Sequence, residues 1–352
     1  MKSITSTKLN RITEELLDNL KDRPRTIIEK RFGLQGDAPI VLEKIGEEFG
    51  ITRERIRQIE SDSFKKLQKS VKSDGFNVVE NMALEAIRKA GGFCEKRFLK
   101  EKIKEHLTRK QRNQLMFILN SSEKLKFRKG KIDKKGFWHV SEDNKIDSRV
   151  VKAHALIVKY IKDKKQPVTF EEILKYVRSD QSKGEFFTGD HASKRLSMIL
   201  RASRLIDKNI LGEWGLKNWK VISQRGAREK AYLVLRKYNK PLHFRKITIF
   251  INKHWTEKKA LPQTVHNELI KDDRFVLVGR GIYGLCDWGY QEGTICEVIH
   301  AFLANCGKPI DKEAIISYVL MKRQVKRTTV AVTLSDRTHF YKTRDGLFSL
   351  KQ

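Results

Sequence analysis

The chain of 352 residues carries 74 Lys and Arg against 43 Asp and Glu, a formal net charge of +31, with 39% apolar residues. That apolar share is enough for several folded cores, so the chain is not a basic tail, and the excess positive charge calls for a polyanionic partner. No stretch approaches eighteen apolar residues and the N-terminus lacks an apolar signal core, which disfavours membrane spanning and secretion. The four cysteines, Cys94, Cys286, Cys296 and Cys306, form no C-x-x-C pair, and the nine histidines show no metal-ligand spacing. No metal or other cofactor is expected, and the thiols read as reduced in a cytoplasm.

Charge is unevenly spread. Residues 1–70 hold 15 basic and 12 acidic side chains, so +28 of the excess lies beyond residue 70. In the balanced first segment, "VLEKIGEEFG" sets Leu42, Ile45 and Phe49 on one face and ends at Gly50, a residue suited to a left-handed helix stop. Thr52 then suits the N-cap of a second helix, "RERIRQIESDSFKKL". At 100° per residue, Ile56, Ile59 and Leu67 share one face while Arg53, Glu54, Arg57 and Gln58 share another. Helix, tight glycine turn and capped helix form a helix-turn-helix pattern, whose second helix offers its first side chains to base edges in the major groove. Spacing alone also fits a solvated amphipathic helix laced with ion pairs.

The segments "KDRPRTIIEKRFGL", "VLEKIGEEFGITRERIRQIE" and "FKKL" resemble region 4 of the sigma-70 family, the module that binds the −35 promoter element, over about residues 8–70. The resemblance implies base-edge contacts for Arg53, Glu54 and Gln58, and phosphate contacts or helix positioning for Arg23, Arg55 and Arg57. It implies double-stranded DNA and RNA polymerase core as partners. Val41 stands where a threonine usually caps the first helix of the motif, and Asp62 and Gln68 replace basic residues of the family.

Beyond residue 70 a unit recurs. "DKKQPVTFEEI", "KYNKPLHFRKI" and "NCGKPIDKEAI", centred on Pro167, Pro241 and Pro309, each follow an amphipathic helix and open a second one. Each unit ends in an aromatic, glycine-centred hairpin, clearest at 274–288 and 339–350 and looser at 205–222. An earlier copy, from "ALEAIRKAGGFCEKRFLKEKI" to "KLKFRKGKIDKKGFWHV", lacks the proline. The expected fold class is mainly α with small β-hairpins (α+β), an N-terminal helix-turn-helix followed by tandem winged-helix units. The expected boundaries are 1–72, 78–142, 148–224, 225–290 and 291–352. The later two units, and more loosely the second, resemble the HARE-HTH domain. The third helices, "RNQLMFILNSS", "ASKRLSMILRAS", "QTVHNELIKDD" and "TTVAVTLSDRT", occupy the place of a winged helix's recognition helix.

"GRGIYG", Gly279–Gly284, satisfies the dinucleotide pattern but is flanked by "RFVLV" and "LCDW", both read as strands, so its glycines are expected to turn a hairpin. Phe275, Tyr283, Trp288, Phe340, Phe348 and Trp138 are expected to close the cores beneath the hairpins, with base stacking as the alternative. Exposed cations beside these elements are candidate DNA contacts: Lys129, Lys131, Lys134 and Lys135 in the first hairpin, Arg280 and Arg344 in the last two, and Lys322, Arg323, Lys326 and Arg327 before the last third helix. Each cluster taken alone also fits a solubilising charge run.

No catalytic motif emerges, and a non-enzymatic role is expected. The sequence therefore points to a cytoplasmic, bacterial, nucleoid-associated protein binding DNA in transcription. It lacks an aromatic-rich helical region for promoter melting, and recognition without melting is expected. A DNA-targeting accessory subunit of a restriction or repair system, and a winged-helix protein that binds polymerase or another protein, are the alternatives.

Overall fold

The computed structural model describes residues 5–70, 72–103, 107–131, 133–143, 145–179 and 186–351. The fold is mainly helical with small antiparallel strand pairs. Four helices come first: α1 (Ser6–Leu17), α2 (Asp22–Phe32), α3 (Leu42–Phe49) and α4 (Arg53–Lys69). Their apolar residues recur at helical spacing, so α2, α3 and α4 each give one fully buried isoleucine, Ile27, Ile45 and Ile56, to a shared core. Leu42, Phe49, Ile51 and Ile59 close its edge.

A second pattern then repeats: helix, short strand, helix, helix, hairpin. Its first occurrence is α5 (Asp74–Lys89), β1 (Phe93–Glu95), α6 (Lys96–Ile103), α7 (Arg109–Asn120), β2 (Leu125–Arg128) and β3 (Phe137–Val140). β3 is the central strand, antiparallel to both β1 and β2. The second comprises α8 (Ile146–Lys164), α9 (Phe170–Ser179), α10 (Ala192–Ala202), β4 (Ile206–Lys208) and β5 (Trp214–Leu216). The third comprises α11 (Ala227–Tyr238), β6 (Leu242–His243), α12 (Phe244–His254), α13 (Pro262–Ile270), β7 (Phe275–Gly279) and β8 (Ile282–Leu285). The fourth comprises α14 (Ile295–Cys306), α15 (Lys312–Lys322), α16 (Arg327–Leu334), β9 (Phe340–Lys342) and β10 (Phe348–Leu350).

The prolines explain the repeat. Each ends the first helix's run, and the residue after it pairs with the last hairpin strand: Val168 with Trp214, Leu242 with Tyr283, Ile310 with Phe348. Nine residues after each proline an aromatic (Tyr176, Phe250, Tyr318) lies flat on an aromatic of the preceding helix (Tyr160, Tyr238, Phe302). Their ring centroids are 4.0, 3.9 and 4.0 Å apart. Trp138, Phe275, Tyr283, Phe340 and Phe348 are buried, and Trp288 packs half-buried against the third repeat's core. Gly279–Gly284 spans the β7–β8 hairpin, with Gly281 at φ 68° in its turn. The strand stops at Leu285, and Cys286–Trp288 is a 3₁₀ turn rather than more strand.

The chain divides into two compact units, Met1–Asp207 with Trp214–Lys217, and Lys208–Glu213 with Asn218–Gln352. In the first, α7 departs from the sequence expectation for a third helix. Its run Leu115, Met116, Phe117, Ile118, Leu119 is apolar on every side and all five are buried, as a helix enclosed by neighbours must be. α7 packs on α1, α2 and α5. Phe117 meets Phe32 and Phe64 at centroid distances of 5.8 and 6.0 Å. Polar side chains fix the register: Gln111 Nε2 donates to Ser6 Oγ, Gln114 Nε2 to Asn10 Oδ1 at 2.7 Å, and Asn113 Nδ2 to the Gly33 carbonyl at 2.9 Å.

α10 buries one face and leaves Lys194 and Arg201 exposed. Leu196, Met198, Ile199 and Leu200 are buried, and the helix packs on β1. Arg195 Nε donates to the Gly91 carbonyl at 2.9 Å. In the second compact unit α13 and α16 are amphipathic as well. Val265 and Leu269, and Val330 and Leu334, face their cores, while Gln263, Thr264, Asn267, Thr328, Thr329 and Val332 are exposed.

Candidate nucleic-acid interface

The turn between α3 and α4 is built on two glycines. Gly50 takes φ 64°, which terminates α3, and a Cβ on Gly46 would come within 2.6 Å of the Ile51 carbonyl oxygen. A side chain at Gly46 would push the lead into α4 away from α3. Thr52 accepts a hydrogen bond from Arg55 N at 3.2 Å, capping α4. Val41, at the corresponding start of α3, makes no side-chain cap.

Because Ile56 is fully buried, the helix turns Arg53, Glu54, Arg55, Arg57 and Gln58 outward, and all five are exposed. They are not equally free. Arg57 holds Glu54 through two hydrogen bonds, Nε to Oε2 at 2.8 Å and Nη2 to Oε1 at 2.6 Å. That bonding keeps the Glu54 carboxyl below, and the Arg57 guanidinium above, the ordinary range. Arg55 Nη1 donates to Gln58 Oε1 at 3.1 Å. Arg53 makes no hydrogen bond or ion pair among the described residues. Arg23 reaches from α2 to the Phe49 carbonyl at 3.4 Å and lies over the Phe49 ring, so in this conformation it braces the turn. Arg31 ties α2 to α4 through Glu60 at 3.2 Å.

Among the cations beyond residue 70, Lys129, Lys131, Arg280, Lys326 and Arg344 are exposed, and their side chains make no hydrogen bond or ion pair among the described residues. Arg280 sits in the β7–β8 turn and Arg344 in the β9–β10 turn. Arg327 is exposed and paired with Glu313. Lys322 Nζ donates to the Gly289 carbonyl at 3.0 Å.

Two expectations need correction. Lys134 is 8% exposed, paired with Asp133 at 2.6 Å, because residues 133–135 are stitched to the end of α10. Lys135 N donates to the Ala202 carbonyl at 2.7 Å and Arg204 N to the Asp133 carbonyl at 2.9 Å. Lys135 Nζ also donates to the Arg201 carbonyl. The first hairpin loop is therefore anchored at its far end, and its free cations are Lys129 and Lys131. Arg323, also 8% exposed, gives its guanidinium to the carbonyls of Gln291 and Gly293. It joins the third and fourth repeats, beside Gln324 N donating to the Val278 carbonyl at 2.9 Å. Neither Lys134 nor Arg323 has a charge to offer a ligand in this conformation.

Sequence spacing had no means of showing which third helices are enclosed. The signal present was composition: "LMFIL" has no polar face, whereas "QTVHNELI" does. Among the described residues no three His, Cys, Asp or Glu side chains gather as metal ligands. Among the described residues no helix is long and apolar enough to cross a membrane.

With that geometry in view, residues 16–69 match the family described as Sigma-70, region 4. The RNA polymerase sigma factor RpoD of Neisseria gonorrhoeae is 40% identical over 68 residues, which are 19% of this chain and 11% of that protein. Residues 16–69 are thus a sigma-70 region 4 domain, a DNA-binding helix-turn-helix module of transcription.

Proposed function

We propose that the chain is a sequence-specific duplex-DNA-binding protein acting in transcription, in which the region 4 domain reads bases and the four repeats are winged-helix units, the later ones of HARE-HTH type. The supporting observation is the face of α4. A capped helix anchored by buried Ile56 presents a free Arg53 beside Glu54 and Gln58, side chains whose donors and acceptors match base edges. Arg55, Arg57 and Arg23 supply phosphate contacts once their present partners are exchanged. Lys129, Lys131, Arg280, Lys326 and Arg344, with Lys135, Lys322 and Arg327 after exchange of theirs, extend the backbone contact. The domain boundaries expected from sequence belong to this reading. So do RNA polymerase core as a partner, a cytoplasmic nucleoid-associated location, and action by binding rather than catalysis or melting.

The open faces of α13 and α16 favour a second reading for those two helices. Ile270 is 63% and Val332 72% exposed, and large exposed apolar side chains mark protein-docking surfaces more often than phosphate-facing ones. On that reading the two helices seat a protein such as RNA polymerase core while α4 holds DNA.

Selection of bound duplexes from a random library, followed by footprinting on the winner, tests the main reading. Enrichment of one motif protected over about one helical turn is expected. Recovery of unselected sequence would overturn it. Co-purification of core polymerase that is lost on Val332→Asp would support the second reading.

A further inference from the structure

The second compact unit contains a cleft of about 750 Å³ between the start of α11, the end of α12 and the segment entering α13. Its wall carries Arg225, Lys230, Lys258 and Lys259 against one acid, Glu257. None of the four cations has an ion pair among the described residues. The cleft has an ordered frame. Asn252 clasps the loop, donating to the Ala260 carbonyl at 3.1 Å and accepting from Ala260 N at 2.7 Å. Gln224 Nε2 donates to the carbonyls of Val221 and Ile222, at 2.7 and 2.8 Å, fixing the opposite lip.

Within the cleft, His254 Nε2 is buried without a hydrogen-bond partner. Burial, reinforced by Lys237 and Lys253, lowers the His254 pKa and favours its neutral imidazole. Trp255 lies half-buried with Lys230 over its ring at 5.5 Å. Both helices that open here, α11 and α13, begin without a side-chain cap from the N-cap residue, although Pro262 removes one N–H from the first turn of α13 and the Glu229 carboxylate lies near Gly226 at the start of α11. The cleft is continuous with the exposed face of α13 through Thr264, which lines it.

We propose that this cleft grips a backbone phosphate of duplex DNA lying along α13. The unpaired cations are positive and uncapped first-turn N–H groups are donors, and a phosphodiester is the polyanionic group that meets them together. The inference rests on the main reading, in which the chain binds duplex DNA through its third repeat, and is incompatible with the second reading, in which a protein covers α13.

The test uses the full chain. Lys258→Ala/Lys259→Ala removes two exposed loop cations without touching a core, and Trp255→Phe removes one of five tryptophans as a reporter. Adding a 20-base-pair duplex should change the intrinsic fluorescence of the wild type, and that change should be absent in W255F. The double variant should bind roughly tenfold more weakly, with a log–log salt slope shallower by about 1.8, or about 0.9 per lost contact. Inorganic phosphate and a nucleoside monophosphate at millimolar concentration should leave the fluorescence unchanged. Unaltered affinity and slope in K258A/K259A, or a response to the small phosphates but not to duplex, would overturn the proposal. Failure of the wild type to bind any duplex would instead overturn the DNA-binding reading on which it rests, and Arg53→Ala, remote in sequence, should leave the Trp255 signal in place.

Discussion

Replacing Arg53 with alanine separates reading from holding. Arg53 is the first residue of α4, exposed, and without a hydrogen bond or ion pair among the described residues. Among the described residues its removal costs no hydrogen bond or ion pair, only a through-space attraction to the neighbouring Glu54. A cation at a helix N-terminus opposes the helix dipole and alanine is the best helix former, so thermal stability should be unchanged or slightly raised. A bidentate arginine–base contact carries roughly 1–3 kcal/mol of discrimination, so the Kd for the preferred duplex should rise roughly 5- to 150-fold. The Kd for random duplex should change little beyond one phosphate's worth. Arg57→Ala differs, because Arg57 is held by Glu54 and its removal leaves an unpaired carboxylate on the face. It should weaken specific and random duplexes alike. Fluorescence anisotropy with both duplexes at fixed salt, beside thermal melts, measures the difference. Equal loss on both duplexes for Arg53→Ala, or a lowered melting temperature, would refute the assignment.

Lys129→Ala/Lys131→Ala should make the salt dependence of duplex binding shallower by about 1.8 in log–log slope. Lys134→Ala should leave the slope alone and lower stability, and an equal drop in slope would mean the loop is not anchored. Phe117→Ala should cost about 3–5 kcal/mol, since it empties a fully buried site beside Phe32 and Phe64. Hydrogen exchange should then quicken in α1, α2 and α4 together with α7, and loss confined to α7 would argue against a shared core. Burial, and then the neighbouring Lys134, hold the His154 imidazole down at about 4, against a smaller upward pull from Asp133. The neutral ring therefore contributes stability that is complete above pH 6.5 and is lost as pH falls toward 4, at most about 3 kcal/mol. Melts from pH 7 to pH 4.5 should show that decline, and His154→Gln should flatten it.

Helix α4 was legible because its information is local. Cap, glycine stop and apolar spacing lie within twenty residues, and Ile56 and Arg53 stand on the faces their spacing assigns. The repeat was legible from its prolines, and the stacked aromatic nine residues after each is a further signal of it. The fates of α7, Lys134 and Arg323 were not legible. Each depends on a partner far along the chain: α1 and α2 for α7, the end of α10 for Lys134, and the carbonyls of Gln291 and Gly293 for Arg323. A lysine bound for solvent and one bound for a buried carboxylate have the same local sequence, and long-range pairing decides between them.

The packing of α7 on α1 and α2 changes what can be moved from one protein to another. Residues 16–69 match a family by sequence, yet their aromatic side chains Phe32 and Phe64 are completed by Phe117, almost fifty residues beyond the matched segment. Excised at its family boundary, the segment would carry an uncovered aromatic patch into solution; grafted onto another chain, it would need a substitute for α7. Inheritance of this region 4 domain thus entails inheritance of its clasp. Variation in the α7 run "LMFIL" is constrained by residues of α2 and α4 rather than by any base pair.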